Sequence, residues 1–303
     1  MRACWAALIH LPSAKEGRLS TILQSIGLAV CSGDWEHASQ PRPDDPPLLA
    51  IVALEDYARK CSTPGWFQSA APPPLTVLIG AGSRTPETLG LQLRHDVLNV
   101  IPEALYDDRP CLERVLRGFV FPDELFDIRR FAAEQSVIKR FTVTTLPEKH
   151  QVAEDAVALV QPYAAARRHL RDIRLIVNEL INNAIFHSFL SPSGAAKYSA
   201  RRFQTLEVGE SVVVEVAVAD EAVVVAVEDN CGTLSPHEVL KYMQRQTTGE
   251  GLYDSHGRGF YLMTNLTDHL SVCLEPGKRT RIVALNHAGA STPVGSLNFF
   301  IAG

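Results

Sequence analysis

The apolar positions follow two regimes along the chain. Over residues 1–120, short apolar runs bounded by Pro and Gly alternate with stretches of helical spacing, which predicts an α/β layer around a largely parallel sheet. Strands are expected over residues 4–11, 28–31, 48–54 and 75–79, with a fifth near Val100-Ile101-Pro102. Helices are expected over 18–26, where Leu19, Ile22, Leu23 and Ile26 share a face, over 86–98, and over 111–117. Pro-rich stretches at 41–47 and 72–74 predict exposed loops.

From residue 121 the pattern changes. Leu125, Ile128, Phe131, Ala132 and Val137 are spaced among charges and predict a connecting helix over 121–139. A β-branched and aromatic strand over 141–145 precedes two helices, 148–163 and 167–189. Near-continuous Val then marks a hairpin, 212–219 and 222–228, turning at Asp220-Glu221; a second hairpin runs over 269–274 and 280–285. Helices on one face of an antiparallel sheet make an α+β sandwich, so the expected domains are 1–120, a linker at 121–139, and 140–303.

Composition narrows the function classes. With 303 residues, a net charge of −5 and no Lys/Arg run, the chain lacks the basic surface that nucleic-acid binding needs. The cysteines Cys4, Cys31, Cys61, Cys111, Cys231 and Cys273 stand far apart without ligand spacing, so they are expected to be reduced thiols, most of them buried. No apolar stretch is long enough to span a bilayer, and residues 1–9 read as a first strand rather than a signal peptide. A cytoplasmic protein is expected.

The most informative segment runs from Arg174 to His187. Glu179, Asn183 and His187 recur at i, i+4 and i+8 and form a polar stripe, while Ile176, Val177, Leu180, Ala184 and Ile185 take the other side. Asn182-Asn183 interrupts an apolar helix with two poor helix formers, so something other than helix stability selects them. A neutral amide oxygen can hold a hard cation without repelling phosphate, and a carboxylate one turn away can accept a proton. Glu-x-x-x-Asn-Ala-x-x-His resembles the N-box of the histidine kinase-like ATPase superfamily in its anti-sigma-factor kinase form. The resemblance implies that Asn183 holds Mg²⁺ on the triphosphate of ATP and that Glu179 is the catalytic base or positioning group.

Three further motifs follow in the order that family requires. Asp229, in Glu228-Asp229-Asn230-Cys231-Gly232-Thr233, resembles the adenine-reading Asp; the family's glycines stand two and four positions later, where this chain has Cys231 and Thr233 with Gly232 between, and the resemblance then implies that Gly232 is the glycine that meets the nucleotide. Ser255-His256-Gly257-Arg258-Gly259, opening an apolar helix, resembles the second glycine box, which implies phosphate contacts from Gly257, Gly259 and Arg258. The stretch 242–254, with Thr247, Thr248, Gly249 and Gly251, then corresponds to the ATP lid. Gly277-Lys278-Arg279-Thr280-Arg281 resembles the closing Gly-Thr turn and gives Thr280 a minor nucleotide contact. Residues 190–209 exceed what the family needs and carry no motif.

The order of elements in residues 1–120 resembles a degenerate response-regulator receiver, a flavodoxin-like α/β domain. The acidic pair after the first strand is replaced by His10-Leu11-Pro12-Ser13, and no Lys follows the fifth. Glu55-Asp56 after the third strand reads as a surface acid pair. The whole resemblance implies a bacterial signalling protein, an ATP- and Mg²⁺-dependent serine/threonine kinase. Its partner would be an anti-sigma antagonist or a sigma-factor-like protein, with a possible homodimer and no direct nucleic-acid or membrane partner. The alternatives are a catalytically weak interaction switch of the same fold, with Cys231 spoiling the adenine site, and a histidine kinase, for which residues 121–139 supply no phosphoacceptor His.

Overall fold

The computed structural model describes residues 5–9, 11–33, 48–61, 75–80, 84–106, 108–163, 170–250, 258–288 and 295–302. The chain divides into two compact units, Met1–Phe121 and Pro122–Gly303. The Pro-rich stretches 41–47 and 72–74, His10 and Cys4 lie outside the described residues.

The first unit is a five-stranded parallel sheet. Strands β1 (Trp5–Ile9), β2 (Ala29–Gly33), β3 (Leu49–Ala53), β4 (Thr76–Gly80) and β5 (Asn99–Pro102) are ordered β2-β1-β3-β4-β5. β3 and β5 are buried almost throughout, as crossover helices require of a parallel sheet, while edge strand β2 is exposed. Helices α1 (Ser13–Ser25), α2 (Leu54–Cys61), α3 (Pro86–His95) and α4 (Arg109–Val120) complete the layers. Each of the last two opens on a side-chain cap followed by Pro: Thr85 accepts from Thr88 N, and Asp108 from Cys111 N. The sequence pattern missed α2, whose first turn holds Glu55 and Asp56; Asp56 pairs with Arg59 at 2.9 Å.

In the second unit, the helix expected over 121–139 is absent. Two 3-10 turns, Pro122–Phe126 and Ile128–Arg130, occupy that stretch, and strand β6 (Val137–Val143) begins inside it. Asp127 accepts from Arg129 N and opens the second turn as its N-cap, so the apolar spacing serves two short turns rather than one helix. Helix α5 (Leu146–Val160) follows, opened by a capping box between Thr145 and Glu148. Helix α6 (Leu170–Asn183) passes into a π-helical turn, Ala184–Ser188.

Strands β7 (Val212–Val218) and β8 (Ala222–Asp229) form the Val hairpin. Helices α7 (Pro236–Thr247) and α8 (Arg258–Leu266) lead to β9 (His269–Glu275), β10 (Arg279–His287) and β11 (Ser296–Ile301). The six strands are ordered β11-β9-β10-β8-β7-β6. The sheet is mixed rather than antiparallel, because β11, which the pattern did not reveal, runs parallel to β9. Helices α5, α6 and α8 pack side by side across it. Tyr242 to Thr247, assigned above to the lid, belong to α7, and Gly251 lies outside the described residues.

Of the described cysteine side chains, Cys111 and Cys273 are buried, Cys231 is half-buried and Cys31 is exposed; all four are free thiols. Exposure of Cys31 follows from its place on the edge strand. Among the described residues no helix is long and apolar enough to cross a membrane.

Candidate functional site

Helix α6 turns Ile173, Ile176, Val177, Leu180 and Ile181 into the core, and this burial is what orients its polar stripe. Glu179 and Asn183 are left half-buried, and His187 is exposed. Two amide atoms at the end of the helix, Asn182 Oδ1 and Asn183 Nδ2, are buried without a hydrogen-bond partner. An unsatisfied buried polar atom costs about 1–3 kcal/mol, and of the two residues it is Asn183 that lines the cavity, where a bound ligand would meet it.

Gly259 of helix α8 lies against this pair. A Cβ at Gly259 would stand 3.0 Å from Glu179 Oε2 and 3.4 Å from Asn183 Oδ1, so only a residue without a side chain leaves working space there. Arg258, the first residue of α8, is exposed and does not line the cavity. Gly257 lies outside the described residues.

The second anchor is Asp229 at the end of β8. The π turn delivers Ser188 to it: Ser188 Oγ donates to Asp229 Oδ2 at 2.7 Å, while the backbone N–H groups of Cys231 and Gly232 donate to Oδ1 at 3.0 and 3.2 Å. Thr233 Oγ1 donates to the Ser188 carbonyl at 2.7 Å and ties the loop back to the turn. Burial raises the Asp229 carboxyl above the ordinary carboxylate range, against the opposing pull of Ser188 and the two amides. Thr280, buried beside it, pulls in the same direction as Ser188 without a hydrogen bond of good geometry.

Asn183, Asp229 and Gly259 line one cavity of about 430 Å³, and Glu179 abuts it at Gly259. Gly232 and Thr280 are not in its wall. Gly232 holds φ +64, and a Cβ there would lie 2.4 Å from the Glu275 carbonyl oxygen and 2.7 Å from Lys278 N. It is therefore glycine because the β9–β10 turn presses on its backbone, a packing reason that stands apart from any nucleotide contact. Cys231 is likewise outside the wall.

Several residues escaped the sequence pattern. Lys149 of α5 is buried, and its charge acts on Glu179. Burial raises the Glu179 carboxyl and Lys149 tempers the rise; burial lowers the Lys149 ammonium and Glu179 opposes the fall. Ser188, Thr233 and Tyr242 join the site through the fold, and Leu190 and Gly194 of the motif-free segment line the cavity. Nothing in their local spacing marked Lys149, Ser188, Leu190 or Gly194, whereas Thr233 and Tyr242 stood in the motifs without an assigned contact.

No curated protein matches the chain. Residues 140–284 match the model of the histidine kinase-like ATPase domain, a span that holds every group just described, and the carboxy-terminal region of the chain is accordingly a histidine kinase-like ATPase domain.

Proposed function

We propose that this domain binds Mg-ATP in the Asn183–Asp229 cavity and transfers a phosphoryl group to a Ser or Thr of a protein partner, in the manner of anti-sigma-factor kinases. The juxtaposition that carries this reading is Gly259 against Glu179 and Asn183: a carboxylate, an amide with an unsatisfied nitrogen, and a backbone without a side chain at one point. Bound Mg-ATP would supply the transferable phosphoryl group. Asn183 holds the cation through its amide oxygen, the α8 backbone at Gly259 meets phosphate, and Glu179 orients the attacking hydroxyl and accepts its proton. Asp229 reads the exocyclic amine of the base, held in place by Ser188 and the loop amides. Cys231 stands outside the wall, which weighs against the interaction-switch alternative built on it.

For the first unit we propose a receiver-like regulatory role without phosphoryl chemistry. Its strand order is that of flavodoxin-like sheets. Glu55 and Asp56 open a helix, and Asp56 is ion-paired with Arg59.

The test is a thermal melt with Mg-ATP, followed by transfer of γ-labelled phosphate to proteins of a cell extract. At 100 times the dissociation constant a native-state ligand adds about 2.7 kcal/mol, or about 5–10 °C for a unit of this size. Asn183→Ala should abolish the shift. A flat melt for the unaltered protein refutes nucleotide binding, and label reaching no protein refutes the kinase.

A further inference from the structure

Residues 190–209, which carry no motif, fold into a braced structure. Ser191 N donates to the Ala195 carbonyl at 2.8 Å, Gly194 N to that of Ser191 at 2.8 Å, and Lys197 N to that of Phe189 at 2.9 Å, closing a tight turn. Behind the turn, Phe189 and Phe203 are fully buried, and Tyr198 meets both edge-on with ring centroids 6.0 and 5.6 Å away. Glu210 accepts from Lys197 and from the Tyr198 hydroxyl. The far end is pinned to the start of α5 by Leu146 N to the Gln204 carbonyl, 2.9 Å, and Leu206 N to that of Thr144, 2.7 Å.

Bracing from both sides makes this a fixed wall, and it presents Leu190 and Gly194 to the same cavity as Asn183 and Asp229. Ser188, which grips Asp229, stands two residues before Leu190, so the turn sits at the Asp229 end. Leu190 is 44% exposed there, an apolar side chain left partly uncovered in a molecule that buries most of its large aliphatics. Neither Leu190 nor Gly194 has a side-chain donor or acceptor, so this wall suits the face or edge of a flat ring.

We propose that the turn over residues 189–196 forms the base-end wall of the pocket, and that Leu190 sets nucleotide affinity by packing on a purine ring whose exocyclic amine meets Asp229. This rests on the nucleotide reading above. It assigns the extra segment a binding role without contact to the reacting phosphate.

The experiment measures Mg-ATP binding by calorimetry for the full chain and for Leu190→Ala, Leu190→Asp and Gly194→Asn, with a melt of each in the absence of nucleotide. Covering a partly exposed Leu corresponds to about fivefold in affinity, so Leu190→Ala should bind about fivefold more weakly and Leu190→Asp more weakly still. Gly194→Asn tests the same wall independently: a Cβ there meets nothing within 4 Å and Asn tolerates a positive φ better than other L-residues, so the melt without nucleotide falls only by the small backbone cost at φ +79 while the added side chain crowds the ring. If the unaltered protein binds Mg-ATP and both Leu190→Ala and Gly194→Asn bind equally well, the wall is overturned and the nucleotide reading stands. If the unaltered protein does not bind, the nucleotide reading falls and takes the wall with it.

Discussion

Gly232 offers a test of why a glycine stands at a place where the family motif does not expect one. Replacing it with Ala meets two penalties. The left-handed backbone at φ +64 costs an L-residue about 1–2 kcal/mol. The new Cβ would also lie 2.4 Å from the Glu275 carbonyl oxygen and 2.8 Å from Arg279 N, backbone atoms of a tight turn that cannot rotate away. Overpacking of this kind costs about 1–3 kcal/mol more. The sum, about 2–5 kcal/mol, corresponds to a fall in melting temperature of about 4–20 °C for a unit of this size. Gly277→Ala is the control, because Gly277 has φ +72 with nothing within 4 Å of its would-be Cβ. It should lose only the backbone part, about 1–2 kcal/mol. Melts and urea titrations of the two variants isolate the steric difference. Below its melting point, Gly232→Ala should retain most of its affinity for Mg-ATP, since Gly232 is outside the cavity wall. Equal losses of stability in the two variants would refute the packing argument. A selective loss of ATP binding by Gly232→Ala would restore the role that the motif first implied.

Two further predictions concern charge. Ionising Asp229 costs the fold free energy because its carboxyl is raised by burial: the neutral form's advantage is present below the unfolded value of about 3.9 and is lost as pH rises through the raised folded value. Asp229→Asn should therefore melt higher than the parent at neutral pH, with the gap closing toward pH 4, yet bind ATP about tenfold or more weakly through loss of a charged acceptor. Parallel melting curves across that range would contradict it. Lys149 is the charge that restrains the rise of the Glu179 carboxyl, so Lys149→Met should move the acid limb of the phosphoryl-transfer pH profile upward, while Lys149→Arg keeps it near the parent position. Superimposable profiles for all three would remove that role.

How much of this was legible beforehand depended on the range of the interactions. The α6 stripe could be read from the chain because helical period alone places Glu179 and Asn183 on one side and the core residues on the other. The Val hairpin and the parallel strands were visible for the same reason, since burial on both faces demands continuous apolar runs. Local hydrogen bonding defeated the reading at 121–139, where Asp127 caps a 3-10 turn in place of a helix. Period also says nothing about partner choice, so the parallel pairing of β11 with β9 went unseen.

The sequence by itself determined the helical stripe, the motif order and the two-part architecture, because these follow from spacing along a single element. Tertiary structure decided the rest: Gly259 against the Glu179–Asn183 pair, Lys149 beside Glu179, Ser188 on Asp229, Gly232 under the β9–β10 turn, and Leu190 in the cavity wall. Each of these joins residues from different elements, and such proximity is set by how buried faces pack together, which no local pattern encodes.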